Sequence, residues 1–571
     1  MIYGMLFYII KSTGKFIHKK MSNLIEFSLF APYNKEAALI GNFSNWKDIP
    51  MQKDDKGYFR TQVELEDEIY QYKFRVRSKS WFFEPDEWIE VVDPYATDID
   101  DATQNGIIRI KDGEKIIDTY VWKNDDKPLP PDHKLVIYEM HVGDFSGGED
   151  DIYSRGKYQH VMEKLDYLSE LGINAIELMP VKEHPGDHSW GYNPRYFFAS
   201  ESSYGTTEQL KNLIDECHGR GIRVLIDGVY NHSEASCPLT QIDHDYWYHH
   251  SQQDTECNWG PEFNYEQYDE QLGTYPARKF IGDTIRFWVK EYHIDGIRYD
   301  AAKQIGNYDF MSWVVNEAKQ EAGVKPFYNV AEYVPESPSI TNSDGPMDGC
   351  WHDSFYHILT DHLCGDTFDL EQLKDILDGK RQGFMGPNNI VNYLGNHDHN
   401  RLIVELGNRG IFDDEVFKRV KLGAVLLMTA VGIPMIWMGE EFGEYKPKTI
   451  ESAKLDWKLL KNDSNQSLFQ YYKGLIFLRE TNHALYSGNI DFFHEDPDNQ
   501  VLAYTRWNDQ GSRIVVVVNF SDNYFAGYQV SNFPANGTWH EWTSNYDIQS
   551  GDDNILLDLP EYEAKVFVWK G

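Results

Sequence analysis

The 571-residue sequence predicts an α/β protein: a (β/α)8 TIM barrel with an N-terminal β-sandwich module and a C-terminal antiparallel β-sandwich. Three observations lead there. The chain is too long for one hydrophobic core, because domains run to roughly 100–200 residues each. Its middle alternates short apolar runs with helical stretches, and eight strand slots can be marked in it. On either side the texture changes to short alternating segments divided by turn residues, the pattern of antiparallel sheet.

Residues 1–20 read as an extension. The apolar run at 2–10 is too short to span a bilayer and leads into Lys11, Lys15, Lys19 and Lys20 rather than a small-residue cleavage site, with Met21 an alternative start. Residues 21–124 carry alternating segments at 37–40, 58–63 and 70–76 and are expected to form the first sandwich. The Pro-rich, charged run DDKPLPPD at 125–132 marks a linker over 125–133. The barrel is expected over 134–454, with strands at 135–142, 174–179, 223–229, 294–299, 327–331, a weak one near Cys350 and Trp351, then 390–394 and 433–438. Between the first two, Val161, Leu165, Leu168 and Leu171 lie on one helical face.

One connection, 232–275, is much longer than the others and reads as a small inserted subdomain. Its Tyr246, Trp247, Tyr248, Trp259, Phe263 and Tyr265 either wall a groove or pack within the insert. Beyond Pro447 the barrel pattern stops, and β-rich runs at 501–507, 513–520 and 564–569 assign 455–571 to the last sandwich.

The net charge of −37 argues against nucleic acid, whose binding depends on clustered Lys and Arg, and favours a neutral ligand. Five cysteines, odd in number and without a Cys-x-x-Cys pair, indicate neither a disulfide framework nor a zinc knuckle. A cytoplasmic protein without a membrane span, monomeric or weakly self-associating, is expected.

In such a barrel chemistry sits where strands end and loops begin. The third strand runs VLID into GVYNH, placing Asp227, Asn231 and His232 at the rim; the fourth, GIRYDAAK, sets Arg298 and Asp300 two apart on one face. The fifth ends at Glu332, and the seventh in NHD, with Asn396, His397 and Asp398. An Asp at one strand end is more often a turn former than a catalyst. Several on one face suit glycoside chemistry, which needs one carboxylate to attack, one protonated carboxyl to release the leaving oxygen, and negative charge beside an oxocarbenium-like centre. Arg298 would keep Asp300 ionised. The same ingredients would also suit a divalent-metal site, a lyase or an isomerase.

These four segments, DGVYNH (227–232), GIRYDAAK (296–303), the Glu332 segment and NHD (396–398), resemble in order and spacing the signature regions of the α-amylase superfamily, glycoside hydrolase family 13. The resemblance implies that Asp300 is the nucleophile, Glu332 the general acid and base, and Asp398 the carboxylate that holds and distorts the sugar. It gives His232 and His397 hydrogen bonds to the sugar, Asp227 the bracing of Arg298, Tyr192 the stacking platform and Lys303 the leaving-side subsite. The insert then looks like a short domain B. GNFSNW (41–46), YQYKFRV (70–76) and VDPYA (92–96) are similar to the glycogen-binding-type module of branching, debranching and trehalose-releasing enzymes. No cofactor is implied. Relatives that bind calcium use the equivalent of Asn231, but Gln304 replaces the His that commonly follows the Lys, so no obligatory ion is expected.

Within the family the signals diverge. IYEMHVG (137–143) and the stretch 176–194 look like branching enzymes and trehalohydrolases, whereas DAAK resembles hydrolytic α-amylases and NHD departs from the SHDE-like form of bacterial branching enzymes. Hydrolysis of α-1,4-glucan is the leading expectation. Branching is the alternative, followed by trehalose release or debranching, and last a non-catalytic glucan-binding protein.

Overall fold

The computed structural model describes residues 23–147, 155–186, 189–253 and 256–571; the extension expected at 1–20 and the alternative start lie outside them. Among the described residues, eight parallel strands close a barrel in chain order: Ile137–Met140, Ala175–Leu178, Arg223–Gly228, Gly296–Tyr299, Tyr328–Ala331, Gly349–Trp351, Ile390–Tyr393 and Ile433–Trp437. Each falls on an expected slot, the weak one at Cys350 included. Ile137 pairs with Met435 to seal the ring. The strands are buried along their whole length, which is why they read as apolar runs rather than alternating ones.

Period-two geometry sorts the interior into layers. Ile137, Ala175, Leu225, Tyr328, Val330, Trp351, Val391, Tyr393, Ile433 and Met435 form an apolar filling of their own inside the barrel. Gly296 makes room for it, since a Cβ there would lie 2.4 Å from the Tyr328 carbonyl oxygen and 2.6 Å from Leu225 Cγ. Two residues further along the first four strands, the same inward parity delivers Glu139, Glu177, Asp227 and Arg298, with Glu139 opposite Glu177 and Asp227 opposite Arg298. A hydrocarbon floor is thus capped by charged groups at the C-terminal ends of the strands.

Val161, Leu165, Leu168 and Leu171 are buried, on two short consecutive helices, Tyr158–Met162 and Leu165–Leu171. The helix Thr207–Gly219 starts from a capping box of Thr206 and Gln209. The boundary expected at 454 falls too early. Helix Asp463–Thr481 packs against Asp413–Thr429 and Leu165–Leu171 and so completes the helical ring between its last and first members. Its buried Leu468, Tyr472, Leu475 and Leu478 are helically spaced. A long 3-10-rich connection containing Pro447 separates it from its strand and hides the eighth β-then-α step.

The N-terminal module is two sheets, with Asn23–Phe30 pairing Tyr58–Leu65 in one and Ala37–Gly41 pairing Ile69–Arg77 in the other. In GNFSNW, Phe43 packs on the core while Trp46 stands exposed. In the C-terminal domain a sheet containing Val501–Trp507, Arg513–Asn519 and Glu563–Trp569 covers its own apolar cluster together with the pair Phe525–Ser531 and Asn554–Leu559. In the insert, packing accounts for five of the six aromatics: Tyr246, Trp247, Tyr248, Phe263 and Tyr265 are buried, and Trp259 is 47% exposed. No helix among the described residues is long and apolar enough to cross a membrane.

Candidate active site

Arg298 is the centre of the charged layer. Its side chain is fully buried, and Nη1 donates to Asp227 Oδ2 at 2.5 Å and to Asp300 Oδ1 at 3.0 Å, while Nη2 lies 2.9 Å from Glu332 Oε2. The Trp351 ring lies 4.3 Å below the guanidinium. Burial works against its charge, but Asp227 and Glu332 outweigh it, and the group is held more firmly protonated than a free guanidinium. Three carboxyl groups therefore converge on one permanent cation.

The turn after the fourth strand holds Asp300 against Glu332. Ala301 has a left-handed backbone (φ 48°), uncommon for a residue with a Cβ, and its N–H donates to Glu332 Oε2 at 2.8 Å. Burial pushes the Asp300 carboxyl well above its usual range, and the neighbouring Glu332 adds to the shift. Exposure is graded across the three carboxylates, with side chains 11% exposed at Asp300, 21% at Glu332 and 40% at Asp398.

Asp398 sits in a turn made by Asn396, whose carboxamide oxygen accepts the N–H groups of Asp398 and His399 at 2.9 Å each. His397 Nδ1 donates to Glu139 Oε1 at 2.6 Å, leaving Nε2 3.2 Å from Asp398 Oδ2. Burial opposes the imidazolium, yet Asp398 and Glu139 together raise His397 to about 9. Burial likewise works against Asp398, but His397 and Arg298 hold it below its ordinary value. Lys448 donates to the Asp398 carbonyl at 2.6 Å.

The hairpin of Lys182–Glu183 with Tyr196–Ser200 carries Trp190 and Tyr192 over the barrel mouth. Tyr192 stacks on His397 with 4.9 Å between ring centres and donates to Asp227 Oδ2 at 2.6 Å. His232 donates from Nε2 to the Tyr192 carbonyl at 2.8 Å; burial lowers it to about 4, so it is neutral, and its buried Nδ1 has no partner. Trp259 lies 5.7 Å from its ring. Lys303 is exposed and bonds the Val334 carbonyl at 3.1 Å in the loop after Glu332. The structure thus gathers Asp227, Arg298, Asp300, Glu332, Tyr192, His397 and Asp398 into one network, sets His232 at its edge, and places Lys303 on the rim without contact to the carboxylates.

Residues 137–276 and 353–466 match the family "Alpha amylase, catalytic domain", residues 16–96 match "Carbohydrate-binding module 48 (Isoamylase N-terminal domain)", and residues 493–570 match "Alpha amylase, C-terminal all-beta domain". The chain belongs to the α-amylase superfamily. It is an α-amylase-type enzyme, from a family of glycosidases and transglycosidases. The matched catalytic stretches leave 277–352 between them, and that interval holds Arg298, Asp300 and Glu332, so their placement rests on the strand ends described above. Among curated relatives, the malto-oligosyltrehalose trehalohydrolase of Saccharolobus solfataricus is 27% identical, covering 80% of this chain and 85% of its own. The 1,4-alpha-glucan branching enzyme GlgB of Nitrosomonas eutropha is 25% identical, covering 93% and 76%. Type I pullulanase of Bacillus subtilis, solved with maltose, shares the fold with a TM-score of 0.79 at 21% identity, covering 96% and 84%.

Further residues of the site lie outside the motifs or carry no assigned role in the sequence. Glu139, Trp351 and Lys448 all touch the site; Glu139 left a trace, as an acid in an otherwise apolar strand opposite Glu177, whereas Trp351 and Lys448 lie outside the four motifs. The calcium question turns on Asn231, which lines a cavity of about 220 Å³ with His249, Glu262, Glu266, Gln304 and Asn307. Calcium takes about six to eight oxygens. One Glu262 oxygen already accepts the Gln253 N–H at 2.5 Å and Glu266 is exposed, so this donor set does not fit a closed oxygen cage and no step is assigned to an ion.

Two consequences can be measured. Arg298→Met leaves Asp227, Asp300 and Glu332 facing one another, and denaturant melts should show a loss of about 3–5 kcal/mol. For His397 the folded-state pKa lies above the unfolded value of 6.5, so its contribution is fully present below about pH 6.5 and is lost as pH rises through about 9. The stability gap between the wild type and His397→Gln should therefore be wide at pH 6 and narrow at pH 9.5.

Proposed function

We propose that this protein is a retaining enzyme acting on α-1,4-glucans such as glycogen, starch or maltooligosaccharides, with water as the usual acceptor. The observation that carries this reading is the convergence of Asp300, Glu332 and Asp227 on the single guanidinium of Arg298, with Asp398 and His397 beside them. Burial and the neighbouring Glu332 make ionisation of Asp300 costly, and Arg298, 3.0 Å away, offsets part of that cost. Glu332, the more exposed of the two and so nearer the incoming sugar, delivers a proton to the glycosidic oxygen as Asp300 attacks the anomeric carbon. The sugar becomes an ester of Asp300, and the leaving chain departs with the proton. Glu332, now ionised, takes a proton from water, which displaces Asp300 and restores the original configuration.

Asp398 and the charged Nε2 of His397 are placed to hold sugar hydroxyls, Tyr192 to lie against the ring, and the unpartnered Nδ1 of His232 to accept a hydroxyl proton. Lys303, beside the Glu332 loop, faces the leaving side. The neutral character of a glucan suits a chain with a net charge of −37.

Transfer to a second glucan, forming α-1,6 branches, shares the first half of this sequence. It is favoured by the GlgB relatives, which align over 93–95% of this chain. Amylose incubated with the protein separates the two when reducing ends and α-1,6 linkages are counted together. New reducing ends without new branches are expected; branches formed at constant reducing value would overturn the hydrolytic reading.

A further inference from the structure

Immediately beyond the catalytic turn lies a second cluster that the proposed reaction does not use. Asp353 opens the helix Asp353–Cys364, and His357 follows it one helical turn later on the same face. His399, next to Asp398 in sequence, reaches across from the loop after the seventh barrel strand. Its Nε2 is 3.0 Å from Asp353 Oδ1, and His357 Nε2 is 3.4 Å from Asp353 Oδ2. One ligand atom from each residue can be chosen so that all three lie within 4.8 Å of one another.

We propose that Asp353, His357 and His399 form a binding site for a divalent transition metal of the zinc type on the rim of the active-site cleft. Zinc holds nitrogen and oxygen ligands about 2.0–2.2 Å away, which spaces neighbouring ligands of a tetrahedron roughly 3.3–3.5 Å apart. The two contacts to the Asp353 carboxylate, 3.0 and 3.4 Å, are close to that spacing, and bringing all three ligand atoms onto one ion requires only that a set lying within 4.8 Å close up. The ligand types, two imidazoles and a carboxylate, select zinc, cobalt or nickel over calcium and magnesium, which require mostly oxygen.

The surroundings have the character of a supporting shell. Tyr393 donates its hydroxyl to Asp353 Oδ1 at 3.0 Å, and the Tyr356 ring stacks on His399 at 4.3 Å, fixing two of the three ligands. Glu336 and Asp361 add negative field around His357. His357 is 56% exposed, so the ion has a path in from solvent and water completes its coordination. Binding exchanges the imidazole N–H protons for the metal, so affinity rises with pH.

The site also ties into the catalytic loop. Asn396 and His399 bridge to one another, and Asp398 lies between them. An ion on His399 clamps that turn to the helix Asp353–Cys364.

The test uses the full-length, untagged protein, stripped with EDTA and titrated with zinc by calorimetry, then with cobalt while visible absorption is recorded. The expected result is one equivalent of zinc, and a cobalt d–d band, in the wild type and in a His250→Ala control. That control removes an exposed histidine paired with Asp245 at 2.9 Å, elsewhere on the surface. His357→Ala should weaken zinc at least tenfold and abolish the cobalt band, with its metal-free melting midpoint and glucan turnover unchanged, because His357 takes no part in the reaction. Absence of zinc binding to the wild type at millimolar concentration, or zinc and cobalt binding unaltered in His357→Ala, overturns the proposal.

Discussion

Asp300→Ala should lower kcat on an α-1,4-glucan by roughly 10⁴-fold or more, a loss of about 5 kcal/mol of transition-state stabilisation, with KM little changed. The reason is geometric. Asp300 is the most buried of the three carboxylates and is held by Arg298 at 3.0 Å, and in the proposed reaction alanine offers no oxygen to attack from that position. The fold should not suffer in parallel. Burial and Glu332 raise the Asp300 pKa above its unfolded value, so at neutral pH the folded state carries this charge at a cost that grows as pH rises above the unfolded pKa of 3.8. Asp300→Asn removes that cost while keeping the shape. Its melting midpoint at pH 7 should equal or exceed that of the wild type while its activity is lost. Reducing-end release and a thermal scan on the same sample check both halves, and a variant that is inactive because it is unfolded would contradict the account.

Glu332→Gln should fail differently. Loss of a general acid and base costs about 10²–10⁴-fold on natural glucan, where the leaving oxygen needs a proton. A glycosyl fluoride needs none, so Asp300 can still attack it, fluoride leaves, and the ester forms. Its breakdown then lacks a base and becomes slow. Azide, which attacks without giving up a proton, should accelerate turnover of the fluoride and yield the glycosyl azide of the starting configuration, whereas Asp300→Ala should show no such rescue at any azide concentration. Equal behaviour of the two variants would remove the distinction between attacking and proton-transferring carboxylates.

The barrel was legible because its strands are short and buried on both faces, so most announce themselves as apolar runs, and the third, fourth, fifth and seventh lead into an acidic residue. Asp227, Arg298, Asp300 and Glu332 come together because parallel register and period two leave them no other place to point. Two kinds of information were hidden. Helix Asp463–Thr481 follows its strand only after a long connection, so the alternation on which the reading relied breaks before the ring is complete. Contacts between distant segments were also invisible: Glu139 with His397 across 258 positions, Trp351 beneath Arg298, and Asp353 with His399 have no local spacing to reveal them. The insert's aromatics could be listed from the sequence, but which of them face solvent depends on packing against the barrel, and Trp259 alone among the six stays open.

The central claim is that Asp300 carries the sugar between the two halves of the reaction. The direct measurement is mass spectrometry of Glu332→Gln after brief incubation with α-maltosyl fluoride at neutral pH, followed by peptic digestion in acid. The account predicts a peptide containing Asp300 heavier by one maltosyl residue, with the label on that side chain and absent from Asp300→Ala. A label on Asp398, Asp227 or any other carboxylate, or free maltose released with no adduct while turnover continues, would contradict it.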